Sequence, residues 1–178
     1  MRKVLIAYYS RKGENYVNGQ IKNLKVGNTS IIANFIQKYT QGDIFEIETV
    51  KEYSKDYHEC TLEAKEELNS NRKPILKRYL SSVDDYDVIF IGYPNWWGTY
   101  PMSVLTFLES INLSQKIIIP FCTHEGSGMG NSLKDLKKVC KDSYVLDGKS
   151  IKGSIAISSE LAVKQWIDEI REELKNGN

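Results

Sequence analysis

The sequence predicts an α/β fold: a single open, doubly wound sheet of five parallel strands with helices on both faces. Two observations lead there. Apolar runs recur along the chain, and those at residues 88–91 and 117–122 show no alternation, as strands buried on both faces require. Segments with helical apolar spacing lie between the runs, and strand alternating with helix indicates parallel βαβ crossovers. No internal repeat, low-complexity tract or linker breaks the series, so residues 1–178 read as one domain.

The elements follow in order. Val4-Leu5-Ile6-Ala7-Tyr8-Tyr9 is the first strand. After a long loop, Ile32, Phe35, Ile36 and Tyr39 keep the i, i+3, i+4, i+7 spacing of one helix face. The shorter alternating run Ile44-Phe45-Glu46-Ile47-Glu48 is the second strand. Residues 57–71 are helix-prone but polar, which predicts a helix only partly packed. Val88-Ile89-Phe90-Ile91 is the third strand, and Pro101, at a first-turn position, opens a helix carrying Val104, Leu105, Leu108 and Ile111. The fourth strand is Ile117-Ile118-Ile119-Pro120-Phe121-Cys122, followed by a stripe of Leu133, Leu136 and Cys140. A last strand falls within residues 150–157, with Tyr144-Val145-Leu146 either preceding or sharing it. Val163, Trp166, Ile167, Ile170 and Leu174 form the strongest stripe, a terminal helix entered through Ser158 or Ser159 as N-cap.

Composition excludes several function classes. Hydrophobic content of 41% and charged content of 26% are those of an ordinary globular domain. A net charge of +1 argues against global attraction to nucleic acid or membrane, and no apolar segment approaches the roughly 20 residues that span a bilayer. The N-terminus reads as a strand rather than a secretory signal. Three widely spaced cysteines, Cys60, Cys122 and Cys140, without a Cys-x-x-Cys pair, read as reduced thiols in a cytoplasmic protein, with no metal site. The charges are uneven: residues 1–30 hold six Lys/Arg against one Glu, and residues 43–67 hold nine acids against three lysines. Two solvated faces and an acidic docking patch both fit that count.

In such sheets ligands bind at the carboxyl ends of the strands, near the point where strand order reverses. Three loops there are unusual. The first starts Ser10-Arg11-Lys12-Gly13 and reaches the next helix only at Gly27-Asn28-Thr29-Ser30. Small hydrogen-bonding residues at a helix start, with a glycine permitting close approach, suit a phosphate dianion. Neither a Gly-x-x-x-x-Gly-Lys-Ser/Thr loop nor a Gly-x-Gly-x-x-Gly turn is present, which speaks against nucleotide triphosphate and dinucleotide binding. The loop after the third strand places two indoles in a turn, Pro94-Asn95-Trp96-Trp97-Gly98. Flat rings at that end of a sheet suit a flat ligand ring; Trp97 is the residue expected to stack, with Trp96 beneath it or at the rim. The third loop, Thr123-His124-Glu125-Gly126-Ser127-Gly128-Met129-Gly130, offers backbone groups to a ligand edge through its glycines. No Ser-His-Asp or Cys-His-Asn set assembles around His124, so no catalytic residue is assigned.

One phosphate on the first loop and one ring between the other two describe flavin mononucleotide (FMN). Tyr8-Tyr9-Ser10-Arg11 with the delayed Gly27-Asn28-Thr29, then Tyr93-Pro94-Asn95-Trp96-Trp97-Gly98, then Thr123-His124-Glu125-Gly126-Ser127-Gly128, resemble the three FMN loops of the flavodoxin family, in a branch whose phosphate loop is extended by residues 11–26. The resemblance implies strand order 2-1-3-4-5. It implies that Ser10, Arg11, Asn28, Thr29 and Ser30 face the phosphate, that Pro94, Asn95, Trp96, Trp97 and Gly98 lie under the ring, and that Thr123, His124, Glu125, Gly126, Ser127 and Gly128 cover its pyrimidine side. The expected function is a low-potential electron carrier serving reductase and acceptor proteins, as a monomer or weak homodimer. Two alternatives stand beside it: an NAD(P)H-dependent quinone or nitro reductase on the same fold, its open face lined by Tyr16, Tyr57 or the long first loop, and a cofactor-free binding module.

Overall fold

The computed structural model describes residues 2–176. Four long or central strands stand where the apolar runs predict them: β1 (Val4–Tyr8), β4 (Asp43–Glu46), β5 (Val88–Pro94) and β6 (Ile117–His124). They pair in parallel in the order β4-β1-β5-β6, which is the expected 2-1-3-4 series. Residue alternation divides the core into two layers. Leu5, Ala7, Ile89, Ile91 and Ile118 pack with Val104, Phe107 and Leu136, from α3 (Met102–Glu109) and α4 (Ser132–Val139). Ile6, Tyr8, Phe90, Ile119 and Phe121 face the other way, onto Ile32, Ile36, Val163, Trp166 and Ile167 of α1 (Asn28–Thr40) and α5 (Glu160–Asn176). Each fully covered side chain of this kind contributes about 1.5–3 kcal/mol.

The fifth sheet position is shared. β7 (Tyr144–Val145) and β8 (Lys149–Lys152) both run parallel to β6, along its start and its end respectively. The break between them lies opposite Pro120, which has no N–H to give. Gly148, at φ 74°, crosses there so closely that a Cβ would sit 2.2 Å from the Pro120 carbonyl oxygen. The strand expected over 150–157 therefore stops at Lys152, level with His124 at the end of β6. Beyond it no strand among the described residues is left to pair with, and the chain winds into a 3-10 helix, η1 (Gly153–Ser158), burying Ala156. Ser159 then starts α5, its carbonyl taking the Val163 N–H.

Residues 11–26, expected only as an extended loop, fold into an antiparallel hairpin of β2 (Gly13–Val17) and β3 (Gln20–Leu24). Asn18 and Gly19 make its turn at φ 50° and 82°, the dihedrals of a type I′ turn, for which Asn-Gly is the preferred pair. α2 (Tyr57–Asn69) is as polar as predicted: only Cys60 and Ala64 of its residues are buried. Asp56 caps it by accepting the Glu59 N–H.

Candidate functional site

The carboxyl ends of β1, β5 and β6 open on the same side, and α1 starts there. Gly27 precedes α1 with no side-chain cap, and the first turn carries no acid. Ser10 Oγ accepts the Ser30 N–H at 3.0 Å, while the N–H groups of Asn28 and Thr29 have no partner among the described residues. A Cβ on Gly27 would come within 2.2 Å of Ser10 Oγ and 2.5 Å of the Arg11 carbonyl oxygen; only glycine lets the returning loop lie this close. Behind the helix start, the buried hydroxyls of Thr29 and Thr123 share a hydrogen bond of 2.8 Å, fixing α1 to β6. The result is an open set of donors at the positive end of a helix.

The tryptophan loop forms the adjoining wall. Trp96 N–H donates to Thr99 O at 2.8 Å and Thr99 N–H returns to Trp96 O at 3.2 Å. Between them Trp97 (φ 54°) and Gly98 (φ 83°) adopt a left-handed turn. For an L side chain that conformation costs roughly 1–2 kcal/mol. Trp97 is held in it from outside: its Nε1–H donates to Thr61 O at 2.8 Å, and Lys65 Nζ lies 4.6 Å above its ring. The Trp97 ring stays half exposed. Trp96 turns inward, edge-on to Tyr9 at 5.3 Å and to Tyr53 at 5.0 Å.

Asn95 locks this loop to the third one. Its N–H donates to Thr123 O, its Oδ1 accepts the Gly98 N–H at 2.9 Å, and its Nδ2 donates to Gly128 O at 2.8 Å. In the third loop His124 Nδ1 accepts the Gly126 N–H at 2.9 Å. Glu125 accepts two backbone N–H groups, Ser154 at 2.6 Å and Asn18, in the hairpin turn, at 3.3 Å.

Burial holds the His124 pKa below its usual 6.5, with Glu125 opposing and Lys152 adding to the shift. A folded state that binds the proton less tightly than the unfolded chain is at full stability above the unfolded pKa, and loses stability as pH falls through it. Protonation also removes the lone pair that Gly126 uses. We expect His124→Asn to flatten the decline in melting temperature between about pH 7 and about pH 5; an unchanged slope in a thermal-melt series would remove this role.

These parts enclose one cavity of about 250 Å³. Asn28 and Thr29 line it from the helix start, Pro94, Asn95 and Trp96 from the second loop, and Thr123, His124, Glu125 and Ser127 from the third. A contiguous lobe of about 370 Å³ shares Asn95 and Trp96 and adds Trp97 and Cys60. Ser10 and Ser30 meet at the helix start and line a neighbouring hollow that also includes Arg11 and Gly27. Gly98, Gly126 and Gly128 shape the loops, each at positive φ, without lining either lobe. Arg11 lines both lobes, but its guanidinium is tied to the Glu14 and Lys55 carbonyl oxygens at 2.9 and 3.0 Å. Asn15 and Gly153 also line the cavity and Tyr53 backs Trp96; none of the three stands out in the sequence. The thiols of Cys60, Cys122 and Cys140 are free and buried, and burial pushes them up to about 11, 12 and 11 respectively.

A family model described as flavodoxin matches residues 3–170. No curated protein matches the chain. Among solved structures, a candidate flavoprotein from Bacteroides uniformis is 29% identical, with a TM-score of 0.74 over 94% of this chain and 98% of its own. A second from Bacteroides eggerthii is also 29% identical, at a TM-score of 0.76 over 96% and 99%. A flavoprotein in complex with FMN from Lactobacillus acidophilus shares the fold at 18% identity, with a TM-score of 0.63 over 89% and 98%.

Proposed function

From a chain that belongs to the flavodoxin family, we propose an FMN-binding carrier of electrons between protein partners. One observation carries the reading: the uncapped start of α1 and the indole wall of Trp96 open into the same cavity. The residues fit the cofactor's two ends. Unpartnered N–H groups and the helix dipole at Asn28 and Thr29 suit a terminal phosphate dianion, and no acid of the first turn opposes it. The indole of Trp96, braced by Tyr9 and Tyr53, suits a planar ring.

FMN, when bound, supplies the one- and two-electron chemistry. The chain's part is to hold, orient and tune. Asn95 fixes the second and third loops at a set separation, so the N–H and C=O groups between them are presented without rearrangement. A hydrogen bond to a loop made in only one oxidation state, about 1 kcal/mol, is enough to matter, because a tenfold difference in binding between oxidation states moves a one-electron potential by about 59 mV. His124, kept neutral by its burial and by the Gly126 N–H, acts as a loop brace rather than an acid.

The test is a titration of the purified protein with FMN, followed by tryptophan fluorescence and by the visible flavin bands. Saturable quenching at one FMN per chain is expected. A protein that neither carries nor takes up FMN ends the redox reading and leaves the cofactor-free module. Rapid steady-state NAD(P)H oxidation with a quinone present would replace the carrier with a reductase.

A further inference from the structure

The hairpin that interrupts the first loop stands outside the sheet, and an isolated two-stranded hairpin is only marginally stable. This one is moored at its base and at its tip. At the base, Arg11 Nη2 donates to Lys55 O and Glu14 Oε2 accepts the Tyr57 N–H at 2.8 Å. At the tip, Asn18 N–H reaches Glu125, and Val17 beside it is buried. Between the moorings the ring of Tyr16 stacks on that of Tyr57, with centroids 6.3 Å apart and planes inclined by 26°. Both rings line the 250 Å³ cavity, together with Asn15. The floor of that cavity belongs to the sheet's loops; Tyr16 and Tyr57 come from β2 and α2, elements that lie beyond the strand ends.

Resting on the FMN reading above, we propose that the Tyr16–Tyr57 pair is a roof that sets donor specificity: it leaves room for one planar ring and keeps a nicotinamide ring out. Hydride transfer moves two electrons and a proton together from the nicotinamide C4. It requires the two rings face to face with reacting atoms about 3–3.5 Å apart. Single electrons need no such contact, so a roofed ring still exchanges them with a docked redox protein. The cavity of about 250 Å³ and its adjoining lobe of about 370 Å³ together suit one ligand of flavin size, and Tyr57 lines both, so the stacked tyrosines stand over the space a second ring would need.

The experiment uses the FMN-loaded full chain and two variants, Tyr16→Ala, whose ring is 44% exposed, and Tyr57→Leu. Two readouts are taken: collisional quenching of flavin fluorescence by iodide, which reports access to the ring, and NAD(P)H oxidation. The wild-type protein should be poorly quenched and oxidise NAD(P)H at background rate. With FMN saturating for each protein, each variant should be quenched several-fold more strongly and oxidise NAD(P)H about tenfold faster or more. Variants that bind FMN but match wild type in both readouts overturn the roof, as does a wild-type protein that already oxidises NAD(P)H rapidly. Failure of the wild-type chain to bind FMN appears earlier, in the titration, and removes the cofactor reading itself; Tyr16→Ala alters an exposed side chain, so a folding defect in Tyr57→Leu leaves the test intact.

Discussion

Gly27→Ala lowers FMN affinity by roughly 10- to 100-fold while leaving riboflavin affinity almost unchanged. The backbone at Gly27, φ −69° and ψ 146°, is open to alanine, so the effect is one of contact alone. A methyl group 2.2 Å from Ser10 Oγ and 2.5 Å from the Arg11 carbonyl oxygen has to be relieved by moving backbone. Overpacking of this kind costs about 1–3 kcal/mol, and relief means lifting the loop off the helix start. Ser10 then no longer braces the Ser30 N–H, and the donors at Asn28 and Thr29 lose their aim. One hydrogen bond to a charged group is worth about 1.5–3 kcal/mol, hence the stated range in dissociation constant. Riboflavin has the ring and no phosphate. Calorimetric titration with both ligands decides: an equal loss for the two would show a general collapse of the site, and no loss for FMN would place its phosphate elsewhere.

Trp96→Ala acts on the ring end and on stability together. Its indole meets Tyr9 and Tyr53 edge-on and is shared by both lobes of the cavity. Large-to-small changes at buried aromatics cost about 3–5 kcal/mol; Trp96 is partly buried, and we expect about 3 kcal/mol, a fall of roughly 6–12 °C in melting temperature for a chain of this size. FMN and riboflavin both bind more weakly, unlike the Gly27 case. Trp97→Ala is the contrast: alanine keeps a Cβ at the left-handed position, so the backbone strain stays, and only one exposed bond to α2 is given up, so its stability change stays within about 1 kcal/mol. Thermal melts that reversed this order would show that Trp97, not Trp96, is the supporting ring.

The central strands and the helix stripes were legible because long apolar runs and 3.6-residue spacing report burial directly, as at Ile89 to Ile91 and at Ile32 and Ile36. The hairpin escaped that reading because β3, Gln20–Leu24, is almost wholly exposed and carries no burial signal. Its turn did announce itself: Asn18-Gly19 is the strongest short-range hairpin pair. Residues 153–157 look like strand because Ile155 and Ile157 alternate with small residues, yet both point outward, 53% and 78% exposed; where β6 ends decides the matter, and that is a tertiary fact. At the site, sequence placed the three loops on the correct strand ends. It pointed to Trp97 as the stacking ring, whereas the structure turns Trp96 inward and leaves Trp97 half exposed, because turn dihedrals determine which of two neighbours faces in; it also gave no sign that the Arg11 guanidinium is drawn toward Lys55.

Sulfur chemistry is kept apart from the electron traffic proposed for this protein. Burial pushes all three thiols up to about 11 or 12, so the thiolate is the minor form at neutral pH. Cys60 borders the cavity itself, where an ionised neighbour would invite mixed disulfides and sulfenic acid whenever the surroundings turn oxidising. Held protonated and out of solvent, Cys60 serves as a small apolar filler beside the cavity.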